Sequence, residues 1–547
     1  MKLFCLTIGF LLSFIPAARA AEPLQTALEA GQYQELSKNE AIIDFLTRLA
    51  GSSDKAELVW AGRSAGQRPI VGLWAGKTPP RSGKTRDANT RLTVMLLGSQ
   101  HGSEPSGAEV LQIVARELVQ GELTRHLEQF NFILVPVSNP DGFDRKMRVN
   151  ANGINLSTDF ALISQPETRA VVGLLNRFQP DILLDIHESA ILKKKSLGRQ
   201  GYLTDFEAQF ECANHAMIDG DMRGYSVDVF LPELIADIQG KGLAANRYIG
   251  EITDIHQPIQ HGGLSLRNLR NYAGFRGIFS WLLENRLDPP GAYPTPRNIK
   301  GRVEKQYLCV ASFLDRIRLH REKIAGFTAR HGADAPDTVP ERKLYLNSHY
   351  AAHPTIPGID IPLRRRDTNE LETVTFPYHG AVVTEKPIFL PAAYAVTAEH
   401  DWIGGLLDLH GIRYDVIVQP ESRPGTRMAV TRINMFPPPA GKSRLRLTID
   451  TTEETTAIEL KTGDLLIRTD QPRGRLLPLL FDPRSGDAVF QEPACAVRLA
   501  RQNPFFIAAV SDKETPSGIT ENGPGRRPLF PNPASGTRLP GKGPGRP

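Results

Sequence analysis

Residues 98–105 read GSQHGSEP, and the rest of the sequence is best interpreted outward from this stretch. It follows the apolar run LTVMLL (92–97) and precedes a segment in which apolar side chains recur every three to four positions. This pattern predicts a buried strand, a short turn and a helix, with Pro105 in the first helical turn. His101 and Glu104 then lie together on the turn, and both are residue types that bind Zn²⁺.

A catalytic zinc needs a third protein ligand, and the sequence offers one far downstream. The apolar run DILLDI (181–186) predicts a strand that His187 follows directly. Strands and helices alternate over the first 330 residues, which predicts an α/β fold with a mixed, largely parallel sheet and helices on both faces. Because sites form beyond the carboxyl ends of such strands, His101, Glu104 and His187 are expected to hold one zinc ion per chain.

The general base and the oxyanion-stabilising group also have candidates. The run GIFSWLL (277–283) predicts a strand that delivers Glu284 to its end, where its carboxylate could take a proton from metal-activated water. Arg148 is the candidate that stabilises the developing oxyanion. Two alternatives remain open: Glu284 could form a simple salt bridge with Arg286, and Arg148 could be a solvated loop charge.

Three neighbouring residues carry weaker hypotheses. Glu188 is a rival base, but adjacent strand residues point to opposite faces, which favours a structural role. Asp185 faces the same side as His187 and could orient its imidazole. Tyr272, in RNYAG, is a candidate substrate contact, although packing is the favoured interpretation.

These motifs together resemble the zinc metallocarboxypeptidase family, with its carboxypeptidase A-like fold; the resemblance covers roughly residues 50–325 and rests on HGSE, NPDG, Arg148, NANGINL, DIH and LLENR. In that family an HxxE pair and a distant His hold zinc, a strand-end Glu promotes water attack, and an Arg after NPDG stabilises the oxyanion. The resemblance implies these roles for His101, Glu104, His187, Glu284 and Arg148. The segment SQPETRAVVGLLNRFQPDILLDIHES resembles an exported bacterial branch, and RTDQP and LLFDP resemble its C-terminal accessory domain.

The sequence departs from the family at one position that bears on the substrate. The family has an Asn-Arg pair that binds the substrate's terminal carboxylate, and Ser157 and Thr158 stand in its place. Both are therefore candidate substrate-binding residues, but neither supplies the bidentate guanidinium contact. The hypothesis is that zinc-dependent hydrolysis persists while the substrate is recognised differently, unless another arginine, such as Arg270, binds the carboxylate.

Composition and local patterns predict the domain organisation. Residues 1–20 resemble a signal peptide, because a short basic start and an apolar run precede Ala18-Arg-Ala20. A catalytic domain is predicted over 21–330 and a smaller, strand-rich α+β accessory domain over 343–512. Residues 513–547 are rich in Pro and Gly and are predicted to be disordered.

Charge and hydropathy limit the partners. The net charge is +5, but the predicted signal peptide and tail carry that excess, which leaves −1 over residues 21–512. No nucleic-acid partner and no stable membrane insertion are predicted, and no oligomeric state is assigned. The sequence thus predicts a secreted or periplasmic zinc hydrolase of C-terminal or cell-wall-type peptide amides. The alternatives are a zinc amidase or deacylase on a non-peptide amide, and a catalytically silent peptide-binding protein.

Overall fold

The computed structural model describes residues 24–77, 91–190, 197–287, 298–331, 343–437, 446–501 and 504–511. The predicted signal peptide and the predicted tail lie outside these residues. Within the described ranges, no helix has both the length and the apolar composition needed to cross a membrane.

A mixed eight-stranded sheet forms the centre of the first 330 residues. The strands in this part of the chain are β1 (Ala56–Arg63), β2 (Pro69–Ala75), β3 (Leu92–Gly98), β4 (Phe130–Val135), β5 (Ile182–Ala190), β6 (Tyr202–Thr204), β7 (Ala208–Cys212), β8 (Ala245–Arg247) and β9 (Phe279–Leu287). The order across the sheet is β1-β2-β4-β3-β5-β9-β7-β8. Strands β4, β3, β5 and β9 pair in parallel, whereas β1 with β2, β2 with β4 and β7 with β9 pair antiparallel. The predicted fold class is confirmed.

Helices cover both faces of this sheet because its central strands are apolar on both sides. The helices are α1 (Ala27–Ala30), α2 (Asn39–Gly51), α3 (Ser106–Gln120), α4 (Pro140–Arg145), α5 (Pro166–Phe178), α6 (Gly220–Tyr225), α7 (Leu231–Gly240), α8 (Leu269–Phe275), α9 (Ile299–Leu319) and α10 (Arg321–His331). One face packs against α2, α3, α7 and α9. The other packs against α5, α8 and residues beyond 343. We call this second face the site face, because the candidate ligands lie on it.

Residues 343–511 are strand-rich, as expected. Their elements are β10 (Lys343–Ala351), β11 (Gly358–Arg365), β12 (Leu371–Pro377), β13 (Ala381–Phe389), β14 (Ala393–Val396), α11 (His400–His410), β15 (Asp415–Val416), β16 (Glu421–Phe436), β17 (Arg446–Leu460), β18 (Leu465–Arg468), α12 (Leu476–Phe481), α13 (Pro493–Arg501) and β19 (Ile507–Val510). Strand β11 pairs with both β12 and β6, so residues 343–511 add strands to a segment of the first 330 residues. The hydrophobic core of the site face is also shared, with Leu346 and Ile467 packed in the same cluster as Trp74 and Leu97. The division into a catalytic domain (21–330) and an accessory domain (343–512) therefore stays a prediction.

Two predicted strand ends differ from the structure. Strands β5 and β9 continue three residues beyond His187 and Glu284, because the two strands pair in parallel register up to Ala190 opposite Leu287. The polar residues continue the hydrogen-bonded ladder instead of terminating it. The segment that follows β9 forms two consecutive helices, α9 and α10, which meet at His320.

Glu109 gives the fold a titratable group in its core. Its carboxylate accepts hydrogen bonds from the Ser37 backbone N–H (2.7 Å), the Ser37 hydroxyl (2.8 Å) and the Gln112 amide (3.0 Å). Burial raises the pKa of Glu109 from 4.5 to about 7. The folded chain therefore holds a proton in that pH window which the unfolded chain releases, so folding is most stabilised at the acidic end of the window.

We expect the free energy of unfolding to fall by roughly 3 kcal/mol as the pH rises from about 4.5 to 7 through this group alone. Urea unfolding of the wild type and Glu109→Gln at pH 5 and pH 8 measures the difference. The decrease should be smaller in the variant by that amount. An identical pH dependence in the two proteins contradicts the expectation.

Candidate metal centre and active site

Two turns at the carboxyl edge of the sheet position the first two candidate ligands. The turn after β3 packs against the turn after β4, where the Asn139 side chain donates to the Gln100 carbonyl oxygen (3.0 Å) and caps α4. A Cβ atom at Gly102 would lie 1.9 Å from the carbonyl carbon of Gly142, so glycine is required for this approach. The contact between HGSE and NPDG fixes the backbone that carries His101 and Glu104.

His101, Glu104 and His187 converge on one point. The Glu104 carboxylate lies between the two rings, with Oε1 2.8 Å from His101 Nδ1 and Oε2 2.8 Å from His187 Nδ1. The two Nδ1 atoms are 3.1 Å apart. All three residues are buried. The backbone N–H of Glu188 also donates to Glu104 Oε2 (3.2 Å), which fixes the carboxylate from the β5 side.

The outer nitrogen of each ring faces a hydrogen-bond acceptor. His101 Nε2 is 3.0 Å from Asn155 Oδ1, an oxygen that also accepts the Ser157 backbone N–H. His187 Nε2 is 3.1 Å from the Asp185 carboxylate, which the Gln100 amide holds at 2.6 Å. In the neutral form of each ring, Nε2 therefore carries the proton and Nδ1 presents a lone pair.

When both rings are neutral, three electron-pair donors face one another without a proton between them. Two neutral nitrogens and a carboxylate at 2.8 to 3.1 Å cannot satisfy each other by hydrogen bonds. A divalent cation among them does satisfy all three, and the set of two histidines and one glutamate suits zinc with an open position. The residues present thus fit the metal that the sequence predicts.

The three groups of the cluster shift one another's protonation. Burial lowers the pKa of His187, but the charges and hydrogen bonds of Asp185 and Glu104 raise it well above its usual value, so the ring holds a proton that a bound cation would displace. Although burial raises the pKa of Glu104, the charges and hydrogen bonds of His101 and His187 hold that pKa well below its usual value. Burial also lowers the pKa of His101. At neutral pH these shifts favour an anionic carboxylate beside a neutral His101 ring, which are the forms that bind a metal.

Glu284 lies next to this cluster on the site face. It pairs in register with His187 on the neighbouring strand, and paired residues on adjacent strands project to the same side of a sheet. Glu188 projects to the opposite face, where its carboxylate binds the Arg302 guanidinium at 2.7 Å. The structure therefore places Glu284, and not Glu188, beside the candidate ligands.

Arg148 reaches the cluster from solvent. Its Nη1 donates to Glu104 Oε1 at 2.9 Å, while its side chain remains 54% exposed. A guanidinium in this position neutralises the carboxylate and leaves several N–H groups open to a bound molecule. Arg148 is therefore not a purely solvated loop charge.

Ser157, Thr158 and Tyr272, the other predicted substrate contacts, lie in three different environments. The Ser157 hydroxyl lies 2.9 Å from His101 Nε2, so the serine orients a candidate ligand. Thr158 is exposed, and its hydroxyl donates to the Asn155 carbonyl oxygen (3.1 Å). Tyr272 is buried in the hydrophobic core of the site face, where its hydroxyl bonds His410 Nδ1 (3.0 Å). This residue of α8 is 1% exposed, so its position favours packing over a substrate contact.

Sequence reasoning missed Asn155 and Tyr248. Asn155 is part of the NANGINL motif, and its two-residue spacing from Ser157 was the available signal for a ligand-orienting pair. Tyr248 follows the short strand β8, and no motif marks it. Burial and then the charge of Glu284 raise its pKa, while Arg270 and Arg148 act on it in the opposite direction. Tyr248 therefore lies within electrostatic reach of the candidate base and of two arginines.

Comparison with known proteins identifies the family. The sequence model of zinc carboxypeptidases matches residues 42–192. Carboxypeptidase 2 of Trichophyton rubrum is 23% identical over 486 residues, which cover 86% of this chain and 86% of that protein. The family match thus covers the part of the chain that contains the candidate ligands, and the similarity to a carboxypeptidase extends over most of its length. These matches support a zinc metallopeptidase, whose general chemistry is metal-dependent hydrolysis of peptides.

Two further similarities are shorter or weaker. The inactive metallocarboxypeptidase ECM14 of Arthroderma gypseum is 25% identical over 156 residues, 26% of each chain. The metallo-carboxypeptidase of Burkholderia cenocepacia has a crystal structure that superposes with a TM-score of 0.40 at 18% identity, covering 52% of this chain and 71% of that chain. The matched range 42–192 contains His101, Glu104 and His187, whereas Glu284 lies beyond it.

Proposed function

We propose that this metallocarboxypeptidase hydrolyses a peptide amide bond at the His101–Glu104–His187 cluster, with Glu284 as the general base. The observation that carries the proposal is the convergence of the Nδ1 atoms of His101 and His187 and the Glu104 carboxylate at hydrogen-bond distance. Two histidines and one glutamate form a ligand set that suits a zinc ion with an open position. The neighbouring Glu284 adds the group that hydrolysis needs in addition to the metal.

When bound, zinc would supply Lewis-acid polarisation of the substrate carbonyl and would lower the pKa of water toward neutrality. Glu284 takes the proton of the attacking water and delivers it to the leaving nitrogen. Arg148, half exposed beside Glu104, donates to the carbonyl oxygen as negative charge develops on it. Asp185 and Asn155 hold the two imidazoles in the ligating tautomer.

The surroundings of Ser157 and Thr158 bear on how the substrate is recognised. Ser157 uses its hydroxyl on His101, and Thr158 uses its hydroxyl on the local backbone. Neither supplies a cation for a terminal carboxylate, which keeps open a zinc amidase or deacylase on a non-peptide amide as a second candidate. Export to a secreted or periplasmic location belongs to the proposal and rests on residues 1–20 alone.

Removal of the metal tests the proposal. The purified protein is expected to contain about one zinc per chain by elemental analysis, as expected for one set of three ligands. Dialysis against a chelator should reduce hydrolysis of an N-acylated peptide mixture to the background rate, and one equivalent of Zn²⁺ should restore it. Undiminished hydrolysis by demetallated protein contradicts the proposal. Hydrolysis of N-acyl amino acids but not of peptides favours the second candidate.

A further inference from the structure

A cleft lies at the junction of α9 and α10, on the face of the sheet opposite the site face. Residues 318–323 line it together with Tyr225 and Gln129, and its volume is about 640 Å³. Ile317 and Phe327, on the inner sides of the two helices, pack in the hydrophobic core of that opposite face. The sheet therefore separates this cleft, which we call the junction cleft, from the candidate metal centre.

The lining of the junction cleft carries excess positive charge. Residues 318–323 contain three cations, Arg318, Arg321 and Lys323, and one carboxylate, Glu322, which gives a net charge of +2 with His320 neutral. Residues 21–512 as a whole carry −1. A positive cleft on a nearly neutral chain favours an anionic ligand.

The acidic residues next to the junction cleft pair with groups that surround it. Glu233 contacts His320 Nε2 at 2.9 Å and binds the Arg316 guanidinium at 3.2 Å. Asp315 binds the Arg125 guanidinium at 3.0 Å. Because these carboxylates compensate other cations, they do not neutralise the charge of the lining.

Arg318 and Lys323 are exposed cations of the cleft, and neither forms an ion pair with an acidic residue among the residues that the structure describes. Lys323 Nζ lies 5.7 Å from the centroid of the Tyr225 ring and 5.1 Å from that of Phe327, so the ammonium group is held in position while its charge stays available. The first backbone N–H groups of α10 add partial positive charge at the same place.

Gln129 adds an acceptor that the fold leaves unused. Its side-chain oxygen Oε1 is buried and has no hydrogen-bond partner in the described part of the chain. A buried acceptor without a partner is costly, and a hydroxyl group of a bound molecule would satisfy it. Leu319, which is 60% exposed, lines the same cleft with an apolar side chain. The ligand that fits this lining combines negative charge with hydroxyl groups and an apolar C–H surface.

We propose that the junction cleft binds an anionic sugar, in which phosphate or carboxylate groups contact Arg318 and Lys323 and a hydroxyl group donates to Gln129. The planar fork of arginine matches both anions, and lysine acts as a point charge. The volume lies within the ~300–1,000 Å³ of small-molecule pockets, which is more than a single inorganic anion fills. This ligand is not the substrate of the candidate metal centre, because the sheet lies between the two sites.

Calorimetric titration of the full-length protein tests the proposal. The probes are fructose 1,6-bisphosphate, trigalacturonate and uncharged maltotriose, all at one ionic strength. We expect at least one anionic sugar to bind with a Kd below about 1 mM and maltotriose not to bind. Tighter binding of the bisphosphate identifies phosphate as the recognised group, and tighter binding of trigalacturonate identifies carboxylate. Absence of binding by both anionic sugars, or equal binding of maltotriose, overturns the inference.

The double variant Arg318→Gln/Lys323→Gln should weaken the anionic sugar by about 10-fold, the value of two exposed charge pairs, and leave the melting temperature unchanged. Arg330→Gln is the matched control, because Arg330 is an exposed cation of the same helix that lies over Phe327 (5.3 Å) and does not line the cleft. It should bind the sugar as the wild type does. An unchanged Kd in the double variant, or an equal loss in Arg330→Gln, contradicts the proposed contacts.

Gln129→Leu separates sugar recognition from plain attraction of anions. The variant should bind the anionic sugar about 5-fold more weakly, the value of one hydrogen bond. Sulfate, which carries two negative charges and no hydroxyl group, should bind equally to the variant and the wild type. If sulfate binds the wild type as tightly as the sugar does, the cleft holds an adventitious ion only and the inference fails. Peptide hydrolysis enters none of these measurements, so the proposed function and this inference stand or fail separately.

Discussion

Glu284→Gln is expected to lower kcat by roughly two to four orders of magnitude, while the zinc content stays at one per chain. The glutamine amide has nearly the same size but cannot accept a proton from water. Because the residue lies beside the three ligands and is not one of them, its neutralisation should leave the metal in place. Stopped assays of peptide hydrolysis, together with elemental analysis of the same sample, measure both quantities.

Glu188→Gln is the matched control for this experiment. Glu188 adjoins His187 in sequence, but its carboxylate binds Arg302 on the opposite face of the sheet. The substitution should cost about 3 to 5 kcal/mol of stability, because it leaves the buried Arg302 without its anion, and change kcat far less than Glu284→Gln does. Comparable losses of kcat in the two variants would remove Glu284 from the role of base, and retained turnover in Glu284→Gln would do so directly.

His187→Ala is expected to remove the metal and, with it, turnover. The substitution leaves one imidazole and one carboxylate, which is too few protein ligands for a stable catalytic zinc site. It also releases Asp185 from its partner at Nε2. Zinc stoichiometry after gel filtration should fall well below one, and hydrolysis should fall to the background rate, with only partial recovery in excess Zn²⁺.

His215→Ala controls for the loss of a buried histidine. His215 is as buried as His187, but its Nε2 lies 3.3 Å from Asp487, a residue of the strand-rich region. We expect lower stability with unchanged zinc content. If His187→Ala retains a full equivalent of zinc, the metal is held elsewhere and the proposed site is wrong.

The sequence predicted the parts of the site that depend on local pattern. The apolar runs before His101 and His187 imposed buried strands, and the parallel order of β3, β5 and β9 brought their polar residues to one edge. The side of the sheet also followed from alternation, because Asp185 and His187 share one face and Glu188 the other. These inferences required only periodicity of two and the topology of a parallel sheet.

Contacts between distant segments could not be predicted in the same way. Nothing near Tyr272 in the sequence indicates His410, more than a hundred residues away, yet that contact fixes the tyrosine in the core. The hydroxyl of Ser157 could have served a substrate or a ligand, and only the position of the His101 ring decided between them. The continuation of β5 and β9 likewise depends on cross-strand pairing, which no single strand encodes.

The shared hydrophobic core and the pairing of β6 with β11 have a consequence for how the chain behaves when it is cut. Side chains from both sides of the 331–343 connection interdigitate, and Tyr350 bonds Asn214 across it. A protease that cleaves there would produce a nicked protein whose two pieces copurify. Expressed without its C-terminal third, the remaining polypeptide would present an apolar surface to water and self-associate.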